Sequence, residues 1–194
     1  EDGTIFVPCM TVRDFPHADF CGVMLDVARR DFSIEQIRDC ITLCRLYKVR
    51  YLQLHLTDNE GWTLSSAKYP QLGTKNIPCR GSSKPARRYG IRELKGLVAY
   101  ADARGVTLVP EIEMPGHCGA AERCMPEVFG AIDPETKQPA GLGVMNLANQ
   151  GLYPVLDAIL ADAAEIFASS PYIHIGGDEL DFSVDYEHLR DKLS

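Results

Sequence analysis

Apolar and polar positions along the chain switch repeatedly between a period of two and a period near 3.6. Residues 21–27 form a short apolar run of strand length. Ser33 opens a helix. Ser33 and Gln36 have the spacing of a capping box, in which each side chain satisfies the other residue's backbone N–H, and Ile37, Cys40, Ile41 and Cys44 share one face. Residues 51–56 then alternate strictly, with Leu52, Leu54 and Leu56 on one side and Tyr51, Gln53 and His55 on the other. A loop rich in Gly, Pro and Ser covers 57–90, and a helix is predicted over 91–104, stopped by Gly105 where a left-handed cap is common. Residues 106–113 read as a third strand, and Pro110 is expected to end its regular pairing because proline has no N–H to donate. A second loop, 114–150, leads to an Ala-rich helix over 152–168, a fourth strand over 171–176 and the start of a helix over 186–192.

Strands alternating with helices at this spacing imply parallel strands joined by crossovers. A doubly wound sheet and a (β/α) barrel of TIM type both satisfy that order. Two features favour the barrel. Polar residues recur on one parity of the strands (Gln53 and His55, Glu111 and Glu113, His174 and Asp178), as though lining a mouth. The long loops also follow strands rather than helices, which places chemistry at the carboxyl ends of the strands. No Gly-rich phosphate loop follows the first strand, which weakens a nucleotide-binding reading.

Composition narrows the function classes. The 194 residues are 45% hydrophobic and 24% charged, enough for one globular domain with a real core. A net charge of -7 without a basic block argues against a nucleic-acid partner. The basic residues between Arg80 and Arg88 read as a solvated loop. No apolar run approaches the ~20 residues of a membrane helix, so no membrane partner is expected. The 7 cysteines leave at least one unpaired, and Cys40 and Cys44, one helical turn apart, read as small core residues, so the redox compartment stays open.

Four clusters of acids and histidines fall at predicted strand ends. They are Asp26 with Arg29; His55-Leu-Thr-Asp58 with Gly61-Trp62 behind it; Pro110-Glu-Ile-Glu-Met-Pro-Gly-His117; and His174-Ile-Gly-Gly-Asp-Glu179. A lone acid or histidine at a strand end is ordinarily a structural hydrogen-bonder. Four at equivalent places in successive βα units are hard to ascribe to packing. In order, wording and spacing these segments, with Gly22-Val-Met-Leu-Asp-Val-Ala-Arg29 and the lead-in Val7 to Asp14, resemble the family 20 glycoside hydrolases, the β-N-acetylhexosaminidases.

That resemblance implies roles. Glu179 would be the general acid that protonates the leaving glycosidic oxygen. Asp178 would orient the substrate's 2-acetamido group, whose carbonyl oxygen attacks the anomeric carbon, an exception to the two-carboxylate rule for glycosidases. Neighbouring carboxylates disfavour double ionisation, which suits one of them to acid work, and adjacent strand residues tend to diverge in direction. By the same matching His55, Asp58, His117, Asp26 and Arg29 form a supporting network, Trp62 is open to either a core role or sugar stacking, His174 is a weaker candidate for sugar contact, and Glu111 and Glu113 are barrel-interior supports. The implied partner is a glycan or glycoconjugate with terminal β-linked N-acetylhexosamine, and the implied location is secreted, periplasmic or lysosomal. Neither a metal nor another cofactor is expected, since no zinc-ligand spacing occurs among the histidines.

Two departures qualify the resemblance. Cys21 stands where the family carries a sugar-anchoring arginine, and Arg30 where it carries histidine. A thiol cannot replace a guanidinium's forked donors. A closed eight-stranded barrel takes ~250 residues. The expected organisation is therefore a lead-in over 1–20 and the first half of a barrel, about four βα units, over 21–194, able to pair with the missing half. Two rivals stay open: a non-catalytic carbohydrate-binding or interaction protein derived from a hexosaminidase, and a metal-dependent barrel hydrolase.

Overall fold

A computed structural model describes residues 3–179, apart from 4, 16, 132, 134, 139 and 142. The helix expected over 186–192 lies outside the described residues. Strand β1 (Gly22–Asp26) is followed by helix α1 (Ile34–Leu46), β2 (Tyr51–His55), α2 (Ile91–Asp102) and β3 (Thr107–Glu111). Two short helices, α3 (Gly119–Cys124) and α4 (Pro126–Phe129), precede α5 (Leu152–Ile166). The three strands form one parallel sheet in the order β1-β2-β3.

The local rules act as the sequence predicts. Ser33 Oγ accepts the Gln36 N–H at 3.2 Å and the Ser33 N–H donates to Gln36 Oε1 at 2.8 Å, so the capping box of α1 is complete. Ile37, Ile41 and Cys44 face the core, while Cys40 is half-buried at its margin. Gly105 follows α2 at φ 69°, a conformation glycine adopts without a Cβ penalty. The seven cysteines are all free thiols.

Leu52 and Leu54 point from β2 into a core shared with Ile41, Leu94, Leu97 and Leu108, and Leu54 is wholly buried. Burying such a side chain contributes about 1.5–3 kcal/mol. This apolar face fixes the register, because a one-residue slip would turn the leucines outward and the polar row inward.

Two expectations are corrected. Pairing does not end at Pro110: it stands opposite Leu54, Glu111 still aligns with His55, and the Pro110 carbonyl accepts the His174 N–H at 2.9 Å. The ladder loses only proline's missing donor, and its acceptor is used in full. The fourth strand over 171–176 is reduced to a single bridge between Glu111 and His174, because Gly176 (φ 66°) and Gly177 (φ 101°) turn the chain out of extended geometry. The loop expected over 114–150 also contains α3 and α4. Among the described residues no helix is long and apolar enough to cross a membrane. The basic stretch is tied down, with Lys84 paired to Asp31, Arg87 to Glu93, and Arg88 donating to the Pro70 and Leu72 carbonyls.

Candidate active site at the strand ends

The parallel register sets Asp26, His55 and Glu111 side by side at the last positions of β1, β2 and β3. The alternation that sends the leucines to the core sends this row to the opposite face. Asp26 Oδ1 accepts the Ala28 and Arg29 N–H groups at 3.1 and 2.9 Å, which turns the chain after β1 and aims Arg29 across the strand ends. Arg29 Nη2 reaches Asp58 Oδ2 at 2.5 Å, and Arg29 Nη1 returns to Asp26 at 3.2 Å.

Asp58 is the hub. It is 1% exposed, and its Oδ2 also lies 2.6 Å from His55 Nε2. Its Oδ1 accepts the Asn59 N–H at 2.5 Å and lies 3.2 Å from His117 Nδ1. Burial would push the Asp58 carboxyl up, but the bonds from His55 and Asn59 and the charge of Arg29 hold it below its ordinary range. Burial would likewise lower His55, yet hydrogen bonds with Asp58 and Glu111 raise its pKa to about 10. His55 is therefore an imidazolium at neutral pH.

His55 Nδ1 lies 2.9 Å from Glu111 Oε2, to which Gln53 Nε2 also donates at 2.9 Å. His174 Nδ1 lies 3.0 Å from Glu111 Oε1. Burial opposes the charge on Glu111, but His55 and Gln53 overcome it and lower its pKa. Glu113, one alternation further, has its nearest cationic atom, His55 Nδ1, at 3.7 Å. Burial first, then Glu111 and Asp178, raise its pKa. The two interior supports are thus shifted in opposite directions.

Beyond the Gly176–Gly177 turn, Asp178 and Glu179 converge with His117. Each of the three offers a ligand atom within 4.8 Å of the others, and His117 Nε2 lies 3.4 Å from Glu179 Oε2. The expected divergence of adjacent side chains fails because this segment is a turn, with Glu179 in the left-handed region at φ 51°. His117 is left-handed too, at φ 51°. Two non-glycine residues held there at one place mark local strain at the site. Its imidazole spans from buried Asp58 to exposed Glu179. Such an arrangement can orient a carboxylic acid at an open surface while keeping the supporting charges dry.

The structure brings Asp26, Arg29, His55, Asp58, His117, Asp178 and Glu179 into one region. His174 adjoins it with its side chain 47% exposed. Trp62 does not join them. It is 1% exposed, its Nε1–H donates to the Leu64 carbonyl at 2.8 Å and its ring packs against Phe129, so of the two roles open to it, core and sugar contact, it takes the core role. Cys21 precedes β1 at the amino ends of the strands, lining a cavity of about 370 Å³ with Phe15, Arg45, Arg50 and Arg104. His55, Glu111 and Glu113 form a second group whose ligand atoms lie within 4.8 Å of one another, but both ring nitrogens of His55 already face carboxylates.

Three supports escaped the sequence reading. Thr57 Oγ1 accepts the Glu113 N–H at 2.8 Å, and Asn59 Oδ1 accepts the Gly119 N–H at 3.1 Å, joining the His55–Asp58 loop to the segment carrying His117. Buried Glu122 accepts the N–H groups of Gly141 and Gly143, each at 3.0 Å. Asn59, directly after the motif aspartate, was a visible signal; Glu122 had none.

Parallel βα units with acids and histidines gathered at the carboxyl ends of the strands define an α/β protein of glycosidase type. The chain belongs to glycosyl hydrolase family 20, whose catalytic-domain profile matches residues 19–188. It is 33% identical over 196 residues to a β-hexosaminidase of Vibrio furnissii, covering 93% of this chain and 32% of that protein. It is 32% identical to a β-N-acetylhexosaminidase of Cellulomonas fimi, covering 92% and 36%. Among solved structures it is similar to the exo β-N-acetylglucosaminidase of Vibrio harveyi in complex with N-acetylglucosamine, with a TM-score of 0.78 and 32% identity, over 93% of this chain and 31% of that one. The Streptomyces coelicolor β-N-acetylhexosaminidase gives a TM-score of 0.75 at 29% identity, over 90% and 36%. The chain spans about a third of the length of these relatives.

Proposed function

We propose that this chain supplies the acid-bearing half of a retaining exo-β-N-acetylhexosaminidase barrel, acting on glycans or glycoconjugates that end in β-linked GlcNAc or GalNAc. The observation that carries the reading is the bridge from Asp58 through His117 to Glu179, at 3.2 and 3.4 Å, with Asp178 beside it. Glu179 gives its proton to the leaving glycosidic oxygen as the C1–O bond breaks. The acetamido carbonyl oxygen, steered by Asp178, forms the new bond to C1. Glu179, now a carboxylate, takes a proton from the water that reopens the intermediate, so configuration is retained. His117 holds the acid in line, and its own tilt is fixed by an aspartate that Arg29 and His55 keep ionised. The strands expected in the remaining half would close the barrel and remove the free edge of β1.

The test is hydrolysis of an aryl N-acetyl-β-glucosaminide by the full-length protein, with Glu179→Gln beside it. On substrates with poor leaving groups the variant should lose ~10²–10⁴ in rate, the contribution of a positioned general acid. Wild-type rates in that variant would refute the assignment of the acid. A non-catalytic sugar-binding reading was raised by Cys21, but that thiol lies at the amino ends of the strands, away from the reacting pair, and lends the reading no structural support. That reading requires N-acetylhexosamine binding without turnover in the same assay.

A further inference from the structure

Glu113 takes no part in the chemistry described, yet its carboxyl group is 2% exposed directly beneath the reacting pair. We propose that Glu113 is a positioning residue for Asp178 and Glu179, holding the Gly176–Gly177 turn by accepting the Gly177 N–H. This inference rests on the hexosaminidase reading and adds to it the element that aims its carboxylates.

Three observations support it. The Gly177 N–H points at Glu113 Oε2 with a nitrogen–oxygen distance of 3.4 Å. A Cβ built on Gly176 would collide with the same carboxylate, so only glycine, at φ 66°, lets the turn settle onto it. Glu113 is itself fixed from behind, because its N–H donates to Thr57 Oγ1 at 2.8 Å and the following Met114 N–H donates to the Ile175 carbonyl at 3.0 Å. A rigid strand end therefore grips the two residues that immediately precede Asp178.

The groups facing Glu113 decide its charge. They are His55 on β2, Glu111 on β3 and Asp178 across the turn, with His174 engaged by Glu111. Among the described residues the nearest cationic group, His55, is already shared by Asp58 and Glu111. An ionised Glu113 would then be a buried anion without its own counter-ion, set against two other carboxylates, which is a costly state. As the neutral acid it donates its O–H to Glu111 and offers a carbonyl oxygen to Gly177. The turn is then held without a negative charge driving Asp178 away.

The experiment compares Glu113→Gln and Glu113→Ala with wild type in the full-length enzyme, using an aryl N-acetyl-β-glucosaminide over a series of pH values. Glutamine keeps a donor and an acceptor and cannot ionise. It should hold kcat within about threefold and lose the contribution of Glu113 to the alkaline limb, while alanine should lower kcat about 10²-fold through misplacement, with a smaller change in KM. Equal loss in both variants, or none in alanine, overturns the proposal. An unchanged alkaline limb in glutamine also overturns it, and that readout stands if alanine fails to fold. Absence of turnover in wild type would instead defeat the hexosaminidase reading. Infrared spectroscopy then still decides the role of Glu113: the wild type should show the C=O band of a protonated carboxylic acid that glutamine removes, and its absence overturns the proposal.

Discussion

Replacing His55 by glutamine removes the positive charge held between two buried carboxylates, Asp58 and Glu111. His55 is 6% exposed, with Nε2 at 2.6 Å from Asp58 and Nδ1 at 2.9 Å from Glu111. Its pKa rises from 6.5 to about 10 in the folded protein. At ~1.4 kcal/mol per unit, the fold favours the imidazolium over the neutral ring by about 5 kcal/mol. Glutamine can bond one carboxylate but neutralises neither, and breaking a buried pair by removing one member costs about 3–5 kcal/mol.

The pH dependence separates this loss from one of packing. Because the folded pKa lies above the unfolded one, the stabilisation is fully present below pH ~6.5 and is lost as pH rises through ~10, at ~1.4 kcal/mol per unit between them. Wild type and His55→Gln should therefore differ most near pH 6 and converge toward pH ~10. Urea unfolding followed by the fluorescence of Trp62, the sole tryptophan and 1% exposed, measures both proteins at each pH. A difference below ~1 kcal/mol at pH 6, or one that stays constant to pH ~10, would refute the charged-histidine account.

Two further substitutions separate site from scaffold. His117→Gln cuts the link between Asp58 and Glu179; the rate of the full-length enzyme should fall about 10²-fold, while the melting temperature stays within a few degrees because Arg29 and His55 still satisfy Asp58, and thermal unfolding beside the rate assay reads both. Ser33→Ala removes the exposed N-cap of α1; it should cost ~1 kcal/mol in urea unfolding and leave the rate unchanged, because the bonds made by Ser33 stay within the first turn of the helix.

The parts of the fold visible in the sequence were those set by local physics. Alternation over Tyr51–His55 placed the leucines in the core and His55 in the polar row, and one Ser–Gln spacing located the start of α1 within a residue. What local pattern could not decide was settled by neighbours. Pro110 stays in a ladder because the partner on that side uses its carbonyl rather than its absent N–H. Trp62, at the end of a motif of polar residues, was compatible with either a pocket wall or the core. The Thr57–Trp62 bridge folds that loop back, and the indole enters the core. Helices α3 and α4 are too short for a hydrophobic period, although Pro126 at a first helical position is a sign that composition alone does not weigh.

The site was legible as a set of residues but not as a circuit. Four motifs named the acids and histidines; none revealed which of them share a proton or a charge. That ordering comes from the register. Because Asp26, His55 and Glu111 sit level across three strands, Arg29 can reach from the first motif to Asp58 in the second, His55 can reach Glu111 in the third, and Glu111 can meet His174 in the fourth. Negative and positive groups then alternate along the chain Arg29–Asp58–His55–Glu111, and Glu113, the next carboxyl in line, has among the described residues only the already shared His55 near it. Burial, Glu111 and Asp178 together raise the pKa of that carboxyl. It is also the carboxyl that lies under Gly177. On the proposal made above, the placement of Asp178 and Glu179 depends on the strand end that holds Gly176 and Gly177 just before them.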